Sequence, residues 1–122
     1  ITESTENAIN QMVKMDHIVW KLEVNKVLLG LSDKTTDEFA DQTMCRLGKW
    51  YYKGDGAAKY ASHIEFKNLE APHAEIHNHG IQALQAFADG HSDKMIDHIS
   101  QMEAASFKAV DLLTNLANKI TK

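Results

Sequence analysis

Two histidines four residues apart, in the run His73-Ala74-Glu75-Ile76-His77, carry the clearest chemical potential in this 122-residue chain. On a helix, residues at i and i+4 stand one above the other, about one turn apart on the same face. Both imidazoles can then aim a ring nitrogen at one point in space, as two ligands of a metal ion must. Seven histidines in a chain this short will generate such pairs by chance, so the spacing needs support from other donors. His17 and Cys45 supply it, provided the elements that carry them bring them to the same place.

The first of those elements is a helix predicted from about Thr5 to Leu31. Ile9, Val13, Trp20, Val24, Val27 and Leu31 recur in steps of three and four, the stripe of an amphipathic helix. His17 falls on that stripe, where an unpartnered imidazole is costly. A neutral core histidine hydrogen-bonded to some side chain or carbonyl is the plain alternative to a ligand there. Leu31-Ser32-Asp33-Lys34 ends the helix, and Thr35 with Glu38 forms a capping-box pattern that predicts a second helix. That helix turns Phe39, Met44, Leu47 and Trp50 inward, with Cys45 close to the same face, and breaks at Gly54-Asp55-Gly56. Cys45 is a ligand, a reactive thiol or a small core residue.

A short helix over about Ala57–Leu69 follows, with Tyr60, Ile64 and Phe66 as apolar contacts. Pro72 suits the first turn of the next helix, which carries His73 and His77, then Leu84 and Phe87 or Ala88 on the same face, and stops at Gly90. Gly80, in mid-helix, leaves room for a close neighbour. Ser92 caps a last helix over about Asp93–Ile120, with Ile99, Met102, Ser106, Val110, Leu113, Ala117 and Ile120 in near-heptad spacing. These segments predict an all-α, four-helix bundle with a short additional helix, in which His17, Cys45 and the His73/His77 pair enter the core from three separate helices.

Composition agrees. One proline and six glycines favour helix, and 43% hydrophobic with 25% charged residues is ordinary for a globular chain of one domain. No apolar run reaches the roughly 18 residues that span a bilayer, and the N-terminus does not resemble a signal peptide. A net charge of −4 with scattered basic residues argues against a nucleic-acid surface. A single cysteine excludes an internal disulfide and fits a reducing cytoplasm. Ile1 in place of methionine suggests a piece excised from a longer protein.

Three imidazoles and one thiolate are a complete donor set for tetrahedral Zn²⁺. One soft sulfur with three nitrogens suits zinc, although cobalt and copper also bind such sets. Four protein ligands leave no position for a reacting water, which argues against an enzyme. His79 points to another face than His77, and His63, His91 and His98 are expected to be solvated. Trp20 and Trp50 are expected to pack near the site.

The runs His17-Ile18-Val19-Trp20, Cys45-Arg46-Leu47-Gly48-Lys49-Trp50-Tyr51 and Leu69-Glu70-Ala71-Pro72-His73-Ala74-Glu75-Ile76-His77 closely resemble the CZB domain, the chemoreceptor zinc-binding domain of bacteria. The likeness extends from about residue 10 to residue 115. Carried over motif by motif, it puts the family's three-histidine, one-cysteine zinc site on His17, Cys45, His73 and His77. It further implies a cytoplasmic, homodimeric sensory module attached to a chemoreceptor or a diguanylate cyclase. In such modules zinc occupancy alters the output, and the zinc-bound cysteine is implicated in sensing oxidants such as hypochlorous acid. The competing readings are a hemerythrin-like di-iron oxygen-binding bundle, a metal-free structural dimerisation bundle and a hydrolytic zinc enzyme. The first needs bridging carboxylates, and the last needs Cys45 off the metal.

Overall fold

The computed structural model describes the backbone of residues 2–120, with side chains described over that range except at residues 2–7, 9, 55 and 120. The helices are α1 (Thr2–Leu28), α2 (Arg46–Tyr52), α3 (Asp55–Lys59), α4 (Ile64–Ala88) and α5 (Ser92–Ile120), with a 3₁₀ turn at Thr36–Glu38. No strand occurs among the described residues. α4 and α5 pair most extensively, α1 lies against both, and the short α2 closes the bundle as its fourth wall.

Two glycines stop the long helices by the same device. Gly30 and Gly90 sit at φ +78° and +77°, a left-handed conformation that only glycine adopts at no steric cost. At the first, Leu31 N–H bonds Lys26 O at 2.8 Å and Gly30 N–H bonds Val27 O at 3.0 Å. At the second, His91 N–H bonds Ala86 O at 2.8 Å and Gly90 N–H bonds Phe87 O at 3.1 Å. Both are Schellman ends that satisfy the last carbonyls of the helix. α1 therefore ends before Leu31, which is exposed rather than part of the stripe.

Val13, His17, Val24 and Val27 of α1 are buried as the periodicity requires, and Trp20 is half-buried. The side chains of Ile9 and Ile120 lie outside the described residues. On α5, Met102, Ser106 and Leu113 are buried and Ile99 and Ala117 are half-buried, joined by Ala105, Ala109 and Leu116. Val110 is exposed, contrary to expectation, because the inward stripe passes through Ala109.

The second helix is shorter than predicted. The Thr35 cap is present, with Thr35 N–H donating to Glu38 Oε2 at 2.8 Å, but it opens only the 3₁₀ turn. Asp41 stops helix from continuing: its carboxylate accepts from Thr43 N–H at 2.9 Å and from Thr43 Oγ1 at 2.6 Å. Such short side-chain bonds compete with the helical ladder. The chain stays irregular until Cys45 caps α2, its sulfur accepting from Gly48 N–H at 3.4 Å. Phe39 and Leu47 are buried as expected, but Met44, on that irregular stretch, is exposed.

A second difference lies at Pro72. The chain breaks at residues 60–63 instead, and α4 runs on from Ile64 with Pro72 inside it. An internal proline costs roughly 3 kcal/mol. Burial of Leu69, Pro72 and Ile76 on the same turns offsets it. Tyr60 and Phe66 are buried as expected, whereas Ile64, Phe87 and Ala88 are exposed; Leu84 continues the inward face with Ala83 and Ala86.

Candidate metal centre

α1 brings His17, the N-cap of α2 brings Cys45, and consecutive turns of α4 bring His73 and His77 to one place in the core. One ligand atom from each of the four lies within 4.8 Å of all the others. His17 Nε2 is 3.1 Å from His77 Nε2, and Cys45 Sγ is 3.2 Å from His73 Nε2 and 3.9 Å from His17 Nε2. The three histidines are buried, and Cys45 is half-buried.

Two backbone carbonyls orient the rings. His17 Nδ1 is 2.8 Å from Val13 O, and His77 Nδ1 is 2.8 Å from Ala40 O. A carbonyl can only accept, so each Nδ1 carries the proton and each neutral ring presents a bare lone pair at Nε2. The irregular stretch before α2 leaves Ala40 O, which lies outside any helix, to accept the His77 Nδ1–H. Outer carbonyls commonly fix metal-bound imidazoles in this way.

The result is a conflict that a cation resolves. Two lone pairs face one another at 3.1 Å with no proton between them. Protonating a ring would relieve this, but burial pushes His73 down to about 3 and His77 down to about 4, and lowers His17 as well. The backbone bonds to Val13 and Ala40 oppose the shift in His17 and His77 without reversing it. In a tetrahedral site with bonds of about 2.0–2.1 Å, the nitrogens stand about 3.3–3.4 Å apart. The observed spacing is close to that edge, so the residues fit a metal ion.

Cys45 fits the same role. Burial pushes its thiol up, while the Gly48 and Leu47 amides favour the thiolate; a cation would favour it far more. Gly48 is required by geometry. A Cβ there would lie 1.9 Å from Gln42 O, because the chain before Cys45 folds back over α2.

Around the centre, the Trp20 ring lies 4.5 Å from the His77 ring and 5.9 Å from Phe39. Gly80 accommodates Trp20, whose ring carbons would be 2.5 Å from a Cβ at that position. Trp50 instead packs on Tyr60 and Phe66. A cleft of about 350 Å³, lined in part by Asp16, Trp20, Glu23 and Arg46, reaches His17, Cys45 and His77 from outside. An Asp16–Arg46 ion pair of 3.1 Å spans it. These two residues adjoin His17 and Cys45 in sequence, a juxtaposition that their places beside those two residues could have signalled. The carbonyls of Val13 and Ala40 carried no such signal.

The remaining histidines divide. His91 is exposed, and the half-buried His63 caps α4 beside Tyr60. His79 does leave the His77 face and meets His98 of α5, and both are half-buried, so His98, like His63, is not the solvated residue expected. The four-residue cluster contains no carboxylate, which a di-iron centre would need as a bridge.

The family model of the chemoreceptor zinc-binding domain matches residues 17–84, more than half of the chain. This chain belongs to that family. The matched span of the CZB domain opens at His17 and encloses Cys45, His73 and His77. It is shorter than the likeness read from the motifs, leaving all of α5 and the first half of α1 outside it. No curated protein and no solved structure matches the chain. The CZB family is sensory and regulatory rather than catalytic.

Proposed function

We propose that this CZB domain is a zinc-binding sensory module in which His17, Cys45, His73 and His77 hold one Zn²⁺ and report its presence to an attached output domain. The observation that carries the reading is the 3.1 Å approach of two buried, proton-free Nε2 atoms beside a cysteine sulfur. When bound, zinc would neutralise that lone-pair repulsion and cross-link α1, α2 and α4. Without it, the polar groups that meet in the core lose their common partner, and the packing of these helices is loosened. The domain acts by this change in packing, not as an enzyme, since four protein ligands leave no place for a reacting water.

The output domain, a chemoreceptor or a diguanylate cyclase in the cytoplasm, lies in the longer protein of which residues 1–122 form one domain. Oxidants such as hypochlorous acid act through the same site. Oxidation of Cys45 to a sulfenic acid removes a thiolate donor, and the cleft beside Asp16 and Arg46 gives small molecules a route to the sulfur.

A homodimer completes the proposal. Met15, Ile18 and Leu22 of α1 and Phe107 and Val110 of α5 are exposed apolar side chains. Ile18, Phe107 and Val110 line one groove between the two helices, and the inner wall of that groove includes His17. A second copy seated there would touch the back of a metal ligand, which gives zinc a direct path to subunit packing. No helix among the described residues is long and apolar enough to cross a membrane.

Metal content of protein purified without a nickel column tests the site. About one zinc per chain is expected, weakened in Cys45→Ala and lost in the His73→Ala/His77→Ala double variant. Zinc uptake by the double variant equal to the parent's would refute the assignment.

A further inference from the structure

Two histidines outside the cluster meet across the α4–α5 hairpin. His79 Nδ1 and His98 Nδ1 are 3.0 Å apart, with ring centroids separated by 5.2 Å and planes inclined by 30°. Both side chains are half-buried, so water still reaches them. Their positions are set by the most extensive helix pairing in the molecule and by the short turn at Gly90. Neighbouring residues hold the register: Gly80 and Met102 meet close to the Trp20 ring.

As neutral rings the two can share one proton between their facing nitrogens. The same geometry also suits two ligands of one ion. Ring nitrogens bound side by side at about 2.0–2.1 Å stand about 2.8–3.0 Å apart at a right angle and about 3.3–3.4 Å at a tetrahedral angle. Almost no movement separates the observed pair from that arrangement. Imidazole is a good donor for zinc, copper and nickel, and partial exposure lets water fill the remaining positions.

We propose that His79 and His98 form a second, two-histidine site for divalent transition metals, separate from the His17/Cys45/His73/His77 cluster. It binds Zn²⁺ more weakly and exchanges it faster than the cluster, since it offers two protein ligands rather than four. An ion there clamps α4 to α5, so metal at high concentration stabilises the hairpin after the cluster is filled.

Calorimetric titration of Zn²⁺ into the metal-stripped full chain tests this, with ring-nitrogen NMR shifts to identify the histidines. The parent is expected to take up zinc in a tight and a weaker phase, with the His79 and His98 shifts moving only in the weaker one. His98→Ala and His79→Ala should each weaken that phase at least tenfold and leave the tight phase, which also confirms that they fold. Cys45→Ala should weaken the tight phase and spare the other. A weaker phase unchanged in both histidine variants, or uptake by the parent of the tight equivalent alone, would overturn the proposal. A parent with only the weaker phase would refute the cluster reading and leave this one standing.

Discussion

At the scale of single residues, the centre is defined by where protons are not. Val13 O and Ala40 O hold the Nδ1 protons of His17 and His77, and burial keeps the rings neutral. This has a consequence for pH. The unfolded chain takes up protons on these histidines near 6.5, whereas in the fold His73 and His77 resist until about 3 and about 4. The unfolded state thus binds more protons below 6.5, and stability falls as pH falls. The metal-stripped domain should be at full stability above about pH 6.5. It should lose about 1.4 kcal/mol per pH unit for each ring that stays neutral below that. Urea midpoints between pH 7.5 and 5 measure this, and His73→Gln should flatten the slope. A slope that the substitution leaves unchanged would mean other groups dominate.

At the scale of elements, the segment before α2 is what brings a lone cysteine to the three buried histidines. Asp41 breaks the helix, Ala40 O is released to His77, and Gly48 lets the chain close over α2 so that its amide meets the Cys45 sulfur. Gly48→Ala would force a Cβ against the backbone of Gln42 and Thr43, where no flexible side chain can yield. Its expected cost is about 1–3 kcal/mol, typical of overpacking, together with at least a tenfold loss of zinc affinity because Cys45 moves with the loop. Thermal unfolding with and without zinc measures both. A variant with parental zinc affinity would mean that Cys45 is held by other contacts. At Gly80 the obstacle is a side chain, Trp20, so an alanine there disturbs the packing around His77 rather than the backbone.

At the scale of the whole molecule, the bundle leaves one face apolar. Phe107 is 78% exposed and Ile18 is 62% exposed, on adjacent helices, and burying such side chains in a second copy is worth roughly 1.5–3 kcal/mol each. On the proposed dimer, Phe107→Glu or Ile18→Glu should therefore shift sedimentation from dimer to monomer while leaving helicity and zinc uptake intact. A dimer that survives both changes would place the interface elsewhere. Because His17 reaches both this groove and the metal cluster, removing zinc should also weaken self-association.

The periodicity of apolar residues was enough to define an all-α bundle and to put His17, His73 and His77 on inward faces, because burial is written into the spacing of side chains along a helix. Cys45, expected close to the inward face of a helix, stands instead at the N-cap of α2. Local chemistry was enough for the stop at Gly90 and the cap at Thr35. What that cap began was beyond local rules: a short polar bond at Asp41 outweighed helix continuation, while the burial of Leu69, Pro72 and Ile76 carried α4 through the proline. Only the tertiary structure decided that Ala40 O meets His77, that Gly48 faces Gln42, and that His79 meets His98. Each of these contacts joins segments whose separation in the chain says nothing of their distance. They are fixed by how the helices pack, and packing is a property of all the elements together.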